Sequence, residues 1–285
     1  MATREWVPPP RQFTLGIASR DALPILRDML LTVAANVLSS DDPSAPAAIA
    51  NAAAVVVGLS PHYLSSDLAR RARRLISWNT EQLSRAAVLR ELAQDVEAAR
   101  DEGLRYEVWD YCAYNARAAA AVGLEMRVVP CVPLRSEVEA LKAHLRQWRQ
   151  RATHDVAFVG SLGDRRRRVL DALAAAGASV LRVSATRDER DVAIARCRVL
   201  LNIHFDADYV VFEGVRCARW IAAGARLVTE CGVEDPPCSE TTSVVNYNDL
   251  VGATLAAVNE SRARTGVAPC APGGGRYDEF CRVWR

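Results

Sequence analysis

Glu213 and Arg216 lie three apart at the head of "FEGVRCARWIAAGARLVTE" (212–230), where an apolar run gives way to a stretch with helical period. A carboxylate accepts several hydrogen bonds and a guanidinium donates through a planar fork, so the question is which ligand wants that pair. Earlier, "FVGSLGDRRRRVL" (158–170) sets Gly160, Ser161 and Gly163 before a run of four arginines. Glycines let backbone N–H groups approach an anion, and a helix N-terminus adds partial positive charge. Arg165 and Arg166 can then donate charge-assisted hydrogen bonds to a diphosphate. The spacing is neither G-x-x-x-x-G-K-S/T nor G-x-G-x-x-G, so it supports neither a P-loop nor a dinucleotide fingerprint. The plain alternative is a solvated helix face. "NIHF" (202–205) ends an apolar run with Asn202 and His204, next to that turn in the expected strand order.

Three further patterns carry polar chemistry. "SWNTEQL" (77–83) and "WDYCAYN" (109–115) put Glu81, Asp110 and Asn115 at strand ends beside aromatics, where first-turn helix charges are the plain alternative. "DAD" (206–208) has the form that holds a divalent cation on a nucleotide diphosphate, but such short acidic patterns recur by chance, and no metal site is expected from it. No Ser-His-Asp or Cys-His constellation assembles, which leaves a hydrolase reading without support.

These residues need a scaffold that places them together. Apolar runs at 12–18, 53–59, 74–78, 106–110 and "EMRVVPCVP" alternate with helical patterns, and the alternation restarts with strands at 155–160, 178–184, "RVLLNIH" and "ARLVTE". Strand–helix alternation at this spacing implies right-handed crossovers and parallel sheets. Ligands in such sheets bind outside the carboxyl ends of the strands. The expected organisation is an N-terminal Rossmann-like, acceptor-side domain (1–134), a helical connector (135–154), a C-terminal Rossmann-like donor domain (155–265) and a tail (266–285) that packs back on the first domain. "LPILRDMLLTVAANVL" is read as one amphipathic helix.

Half of the 285 residues are hydrophobic and a quarter charged, the balance of a globular protein. The net charge of +2 does not by itself argue for nucleic acid. Lys142 is the only lysine among 36 basic residues, a bias that fits a GC-rich coding genome. No apolar run has the roughly 18 to 20 residues of a membrane helix, and no secretory signal is evident, so a cytoplasmic setting is expected. Eight cysteines (112, 131, 197, 217, 231, 238, 270, 281) include no C-x2-C pair, which excludes zinc-ribbon and thioredoxin readings. Reduced thiols are expected, with one bridge among Cys231, Cys238, Cys270 and Cys281 left open.

The ordered set "GSLGDRR", "LLNIH", "FEGVR" and "LVTE" resembles the donor domain of sugar-nucleotide glycosyltransferases, and more narrowly the CgeB-like branch of the group 1 glycosyl transferases. "ISWNTEQL", "WDYCAYN" and "VVPCVPL" are similar to that family's N-terminal half and domain junction, so the resemblance covers most of 74–230. It implies an α/β fold of two Rossmann-like domains around a cleft, the GT-B architecture. It also implies transfer of a sugar from a nucleotide diphosphate sugar, such as a UDP-sugar, to an acceptor hydroxyl on glycan, protein or modified DNA. The donor is a co-substrate; no other cofactor and no bound metal are implied, since positive side chains and a helix N-terminus stabilise the leaving diphosphate.

By position, the resemblance assigns Glu213 to the donor ribose hydroxyls and Gly160, Ser161, Arg165 and Arg166 to the diphosphate. Asn202, His204 and Phe212 join them on the donor side, while Arg216 either approaches the phosphates or orients Glu213. Glu81 and Asp110 are the candidates for catalysis. One departure stands out: the first carboxylate of the family's Glu-x7-Glu pattern would fall at Phe205, which leaves retaining versus inverting chemistry open. Two other readings also stay open. One is a nucleotide-sugar epimerase of the same fold; the other is a non-catalytic nucleotide-sugar or nucleic-acid binder using "ARRARR" (69–74) and "RRRR" (165–168).

Overall fold

The computed structural model describes residues 14–18, 23–31, 33–58, 66–148, 150–183, 187–236 and 239–265. The chain divides into two compact units, Met1–Leu134 and Arg135–Arg285. The expected tail packing and the pairing of Cys238, Cys270 and Cys281 fall outside the described residues, within which Cys231 is a free thiol.

The first unit runs β1 (Thr14–Ala18), α1 (Leu23–Leu31), β2 (Asn36–Ser39), α2 (Ala45–Asn51), β3 (Ala54–Gly58), α3 (Ser66–Arg71), β4 (Leu75–Asn79), α4 (Ala86–Asp101), β5 (Tyr106–Asp110), α5 (Ala113–Ala120) and β6 (Met126–Val128). Its strands form one parallel sheet in the order β2-β1-β3-β4-β5-β6. β3 reads "AVVVG" and is buried throughout, as expected for a parallel strand covered on both faces. Leu15, Ile17, Val55 and Val57 pack with Ala45 and Ile49 of α2. On the opposite face α1 comes so close that a Cβ on Gly58 would lie 2.7 Å from Leu26 Cδ1.

Two elements here depart from the sequence reading. "NVL" is expected to end the first helix, whereas that helix stops at Leu31 and Asn36–Ser39 becomes edge strand β2. The amides of Val33 and Ala34 close the helix on Leu30 O, and Ala35 N passes to Thr14 O of β1. The free edge of β1 captures a segment whose own periodicity fits either structure. Helix α2 was not read at all, because "DDPSAP" looks like a terminator. Asp42 instead accepts from the amide and hydroxyl of Ser44, and a proline sits in the first turn, where its missing N–H costs nothing.

The second unit runs α6 (Arg135–Trp148), β7 (His154–Val159), α7 (Asp164–Ala175), β8 (Val180–Val183), α8 (Arg187–Ala195), β9 (Cys197–Asn202), α9 (Gly214–Ala222), β10 (Leu227–Glu230), β11 (Thr242–Val245), a short 3-10 turn (Tyr247–Asp249) and α10 (Leu250–Thr265). Its parallel sheet has the order β11-β10-β9-β7-β8. Alternate residues feed two cores. Val156, Phe158, Val199 and Leu201 meet Val169, Leu173 and Leu250 of α7 and α10, while Ala157, Leu200 and Leu227 meet Leu141, Cys217 and Trp220 of α6 and α9. Helix α6, read as a connector, therefore packs through Val138 and Leu141 into this unit's core. β11 is not legible in the sequence, because "TSVV" holds only two apolar residues.

Both sheets are doubly wound, so the coarse reading of two Rossmann-like domains fits the two units taken separately. Among the described residues no helix is long and apolar enough to cross a membrane.

Candidate functional site

In the second unit the chain leaves β7 for β8 on one side and returns to β9 on the other, so the strand order reverses between β7 and β9. Crossovers diverge at such a reversal, opening a crevice at the carboxyl ends of the two strands. The segments there are Gly160–Gly163 after β7, and Ile203–Phe205 after β9. Gly160 has φ +137°, and a Cβ on it would lie 3.3 Å from both Arg166 Nη1 and Arg216 Nη2. The backbone conformation thus favours glycine, and a Cβ would crowd both guanidiniums. Gly163 is the N-cap of α7, whose first N–H groups have no intrahelical acceptor and face the reversal.

Arg166 ties these segments together from inside. Only 1% exposed, it donates through Nε to Ile203 O (2.8 Å), through Nη1 to Ser161 O (2.9 Å) and through Nη2 to Glu213 Oε1 (3.2 Å). Burial pulls its pKa down and the charge of Glu213 pulls it back, yet a guanidinium stays charged. Arg216 Nη1 donates to the other oxygen of Glu213 (2.6 Å) and to Asn202 Oδ1 (3.4 Å). Asn202 is itself fixed by donating to Thr229 Oγ1 (3.1 Å). Glu213 precedes α9 without capping it by its side chain, so its carboxylate is held by the two arginines rather than by the helix start.

Arg165, assigned by position to the diphosphate, is held by a carboxylate. Its guanidinium pairs with both oxygens of Glu230 at the end of β10, reaches His204 O (3.3 Å), and lies 3.7 Å from the centroid of the Tyr247 ring. Tyr247 in turn donates its hydroxyl to Arg165 O (2.9 Å), and Glu230 also accepts from His204 N (3.0 Å). The sequence reading missed Glu230, Thr229 and Tyr247. A signal existed for Glu230, a charged residue closing the buried strand "LVTE".

His204 is 2% exposed, and neither ring nitrogen has a hydrogen-bond partner among the described residues. A Cβ on Gly232 would lie 3.1 Å from its Nε2. Phe212 is buried and packs in the core with Cys217 and Trp220. Asp206 and Asp208 are exposed, and no group of three His, Cys, Asp or Glu among the described residues is arranged to hold a metal ion.

In the first unit, Asp110 is fully buried at the end of β5. Its carboxylate accepts from Asn79 Nδ2 (2.6 Å), Asn115 Nδ2 (3.0 Å) and Cys112 N (2.8 Å). Both asparagines also donate to Glu81 O, while their own carbonyls accept from Glu81 N and Leu83 N. The network fixes the loop after β4. Burial pushes the Asp110 carboxyl up to about 7, against the pull of these N–H donors. Glu81 joins through its backbone, and its residue is exposed. The two asparagine side chains thus bridge the Asp110 carboxylate and the Glu81 main chain, at strand ends away from the β1–β3 reversal of this sheet.

The arginine runs are divided among separate partners. Arg70 pairs with Asp67 and Glu102, Arg74 with Glu107, and Arg167 with Asp164, while Arg165 and Arg166 turn inward.

No protein-family model matches the chain. Three uncharacterized proteins of Acanthamoeba polyphaga mimivirus are similar to parts of it. One is 40% identical over 84 residues, covering 29% of this chain and 10% of that protein. Another is 35% identical over 111 residues, covering 37% and 15%, and a third is 34% identical over 102 residues, covering 35% and 33%. The chain spans about a third or less of each relative's length. Among solved structures it is similar to the glycotransferase of kitacinnamycin, at 11% identity and TM-score 0.35 over 92% of this chain and 97% of that one. It is also similar to an NADPH-dependent glyoxylate/hydroxypyruvate reductase from Sinorhizobium meliloti, at 14% identity and TM-score 0.22 over 88% and 90%.

Proposed function

We propose that the second unit binds the diphosphate and ribose of a nucleotide diphosphate sugar, and that the chain transfers the sugar to an acceptor hydroxyl. The observation that supports this reading is Glu213 held between Arg166 and Arg216 at the sheet reversal, beside the Gly160 turn and the start of α7. Each carboxylate oxygen has one guanidinium contact and keeps a lone pair for a ribose hydroxyl. Arg216, with 26% of its side chain exposed against 2% for Arg166, is the guanidinium that takes a phosphate oxygen. The Gly160–Gly163 turn and the α7 N-terminus supply N–H donors for the rest.

In the transfer, the anomeric carbon–oxygen bond breaks and its electron pair leaves on the diphosphate, where these donors stabilise the growing charge. The acceptor oxygen bonds the anomeric carbon and gives its proton to a base.

A thermal-shift series with UDP, GDP, CDP, TDP and their sugars tests the reading. A nucleotide present at 100 times its dissociation constant should stabilise the fold by about 2.7 kcal/mol. Absence of a shift with every one of these ligands would overturn it.

A further inference from the structure

Phe205 is 37% exposed, and it is the only aromatic residue among the described ones with so much surface in water. A lone exposed phenylalanine needs no explanation on an ordinary surface. This one stands at the anion site. A methyl group on Gly163, the N-cap of α7, would lie 3.4 Å from its ring edge. The Arg166 guanidinium carbon is 5.2 Å from the ring centroid, and Tyr209 is tilted against it at 5.8 Å. The backbone that carries it is fixed immediately before it, since Arg166 binds Ile203 O and Arg165 binds His204 O. The ring is therefore an aromatic surface mounted on an anchored loop, with a polar site at its edge.

We propose that Phe205, backed by Tyr209, is a specificity-determining residue that packs against a ring carried on the phosphate bound at the α7 N-terminus. This rests on the diphosphate reading of the same site. The shared chemistry is a flat or CH-rich ring, which either the nucleobase or the transferred sugar can present. Aromatic stacking of this kind tolerates different rings because its attraction comes from dispersion and excluded water rather than from a set pattern of donors. The residue adds affinity for ring-bearing phosphates and none for phosphate itself.

The experiment compares wild type, Phe205→Ala and Phe205→Leu by calorimetric titration with inorganic pyrophosphate, UDP and UDP-glucose. Circular-dichroism melts should show that all three fold alike, because the ring is half in water. Pyrophosphate affinity should stay within about twofold in both variants. If the nucleobase is the stacked ring, Phe205→Ala should weaken UDP and UDP-glucose alike by about 5- to 150-fold. If the sugar is, only UDP-glucose should weaken. Phe205→Leu keeps apolar bulk without a ring face and should recover only part of the loss. Equal binding of all three probes by all three proteins overturns the role of Phe205 while leaving the phosphate site standing. Failure of wild type to bind any of the probes overturns the diphosphate reading and this proposal with it.

Discussion

Arg165 grips both carboxylate oxygens of Glu230 while its guanidinium carbon lies 3.7 Å from the centroid of the Tyr247 ring, a geometry that makes this cation of the arginine run a clamp between β10 and the start of α7. Glu230 is only 6% exposed, and removing its partner leaves a buried charge unpaired. Arg165→Ala should lower stability by about 3 kcal/mol in urea denaturation. The double change Arg165→Met with Glu230→Leu should recover most of that loss, since removing both partners takes away the desolvation cost too. A stable Arg165→Ala protein with weakened UDP binding would return Arg165 to the ligand.

Arg216 should behave in the opposite way. Its loss leaves Glu213 still held by Arg166, so folding should change little. Pyrophosphate and UDP should both weaken by roughly 10- to 150-fold, the range for a hydrogen bond to a charged group worth about 1.5 to 3 kcal/mol. Titration of Arg216→Ala with both probes checks this, and unchanged affinities would contradict it.

Glu213→Gln keeps the size of the side chain but turns one acceptor into a donor. Nucleotide affinity should fall on the order of 30-fold, about 2 kcal/mol. A 2′-deoxyribose donor should bind wild type more weakly than its ribose parent, and bind the variant about equally. The four affinities form a cycle that isolates the carboxylate–hydroxyl contact. Equal sensitivity of both proteins to the missing hydroxyl would show that Glu213 does not read the ribose.

Asp110 gives a pH prediction with a defined sign. The unfolded chain loses this proton near the ordinary value of 3.8, whereas the buried carboxyl keeps it up to about 7. In that window the folded state binds the extra proton, so this residue's contribution to stability falls as pH rises and levels off above about 7, by at most about 1.4 kcal/mol per pH unit. Asp110→Asn should remove that slope. It should also be less stable throughout, because its amide nitrogen would face the donors of Asn79 and Asn115. Urea denaturation of both proteins at pH 5, 6, 7 and 8 decides it, and parallel profiles would contradict the assignment.

The strands rich in valine, isoleucine and leucine were legible because burial on both faces leaves a continuous apolar run, as in "VVV" of β3 and "RVLLN" of β9. β2 and β11 were not, because "NVL" shares the apolar period of the helix before it and "TSVV" holds only two apolar residues. At the site, Gly160, Asn202, Glu213 and Arg216 were readable as polar or glycine residues at strand ends. The division of labour between Arg165 and Arg166 was not, since adjacent helical residues point about 100° apart and the sequence does not say which one turns inward. Phe205 showed in the sequence only as the place where a carboxylate was missing.

The carboxylate of Glu213 is clamped on both oxygens before any ligand arrives. Ordering a long side chain at a binding surface costs about 0.5 to 1.5 kcal/mol, and here that entropy is lost during folding for Arg166, Glu213 and Arg216 together. A ligand meeting this site finds its partners already aligned, so even a small molecule with few contacts can be held in one orientation. Changes that loosen the clamp should therefore weaken binding, because the ordering cost returns to the moment the ligand is bound.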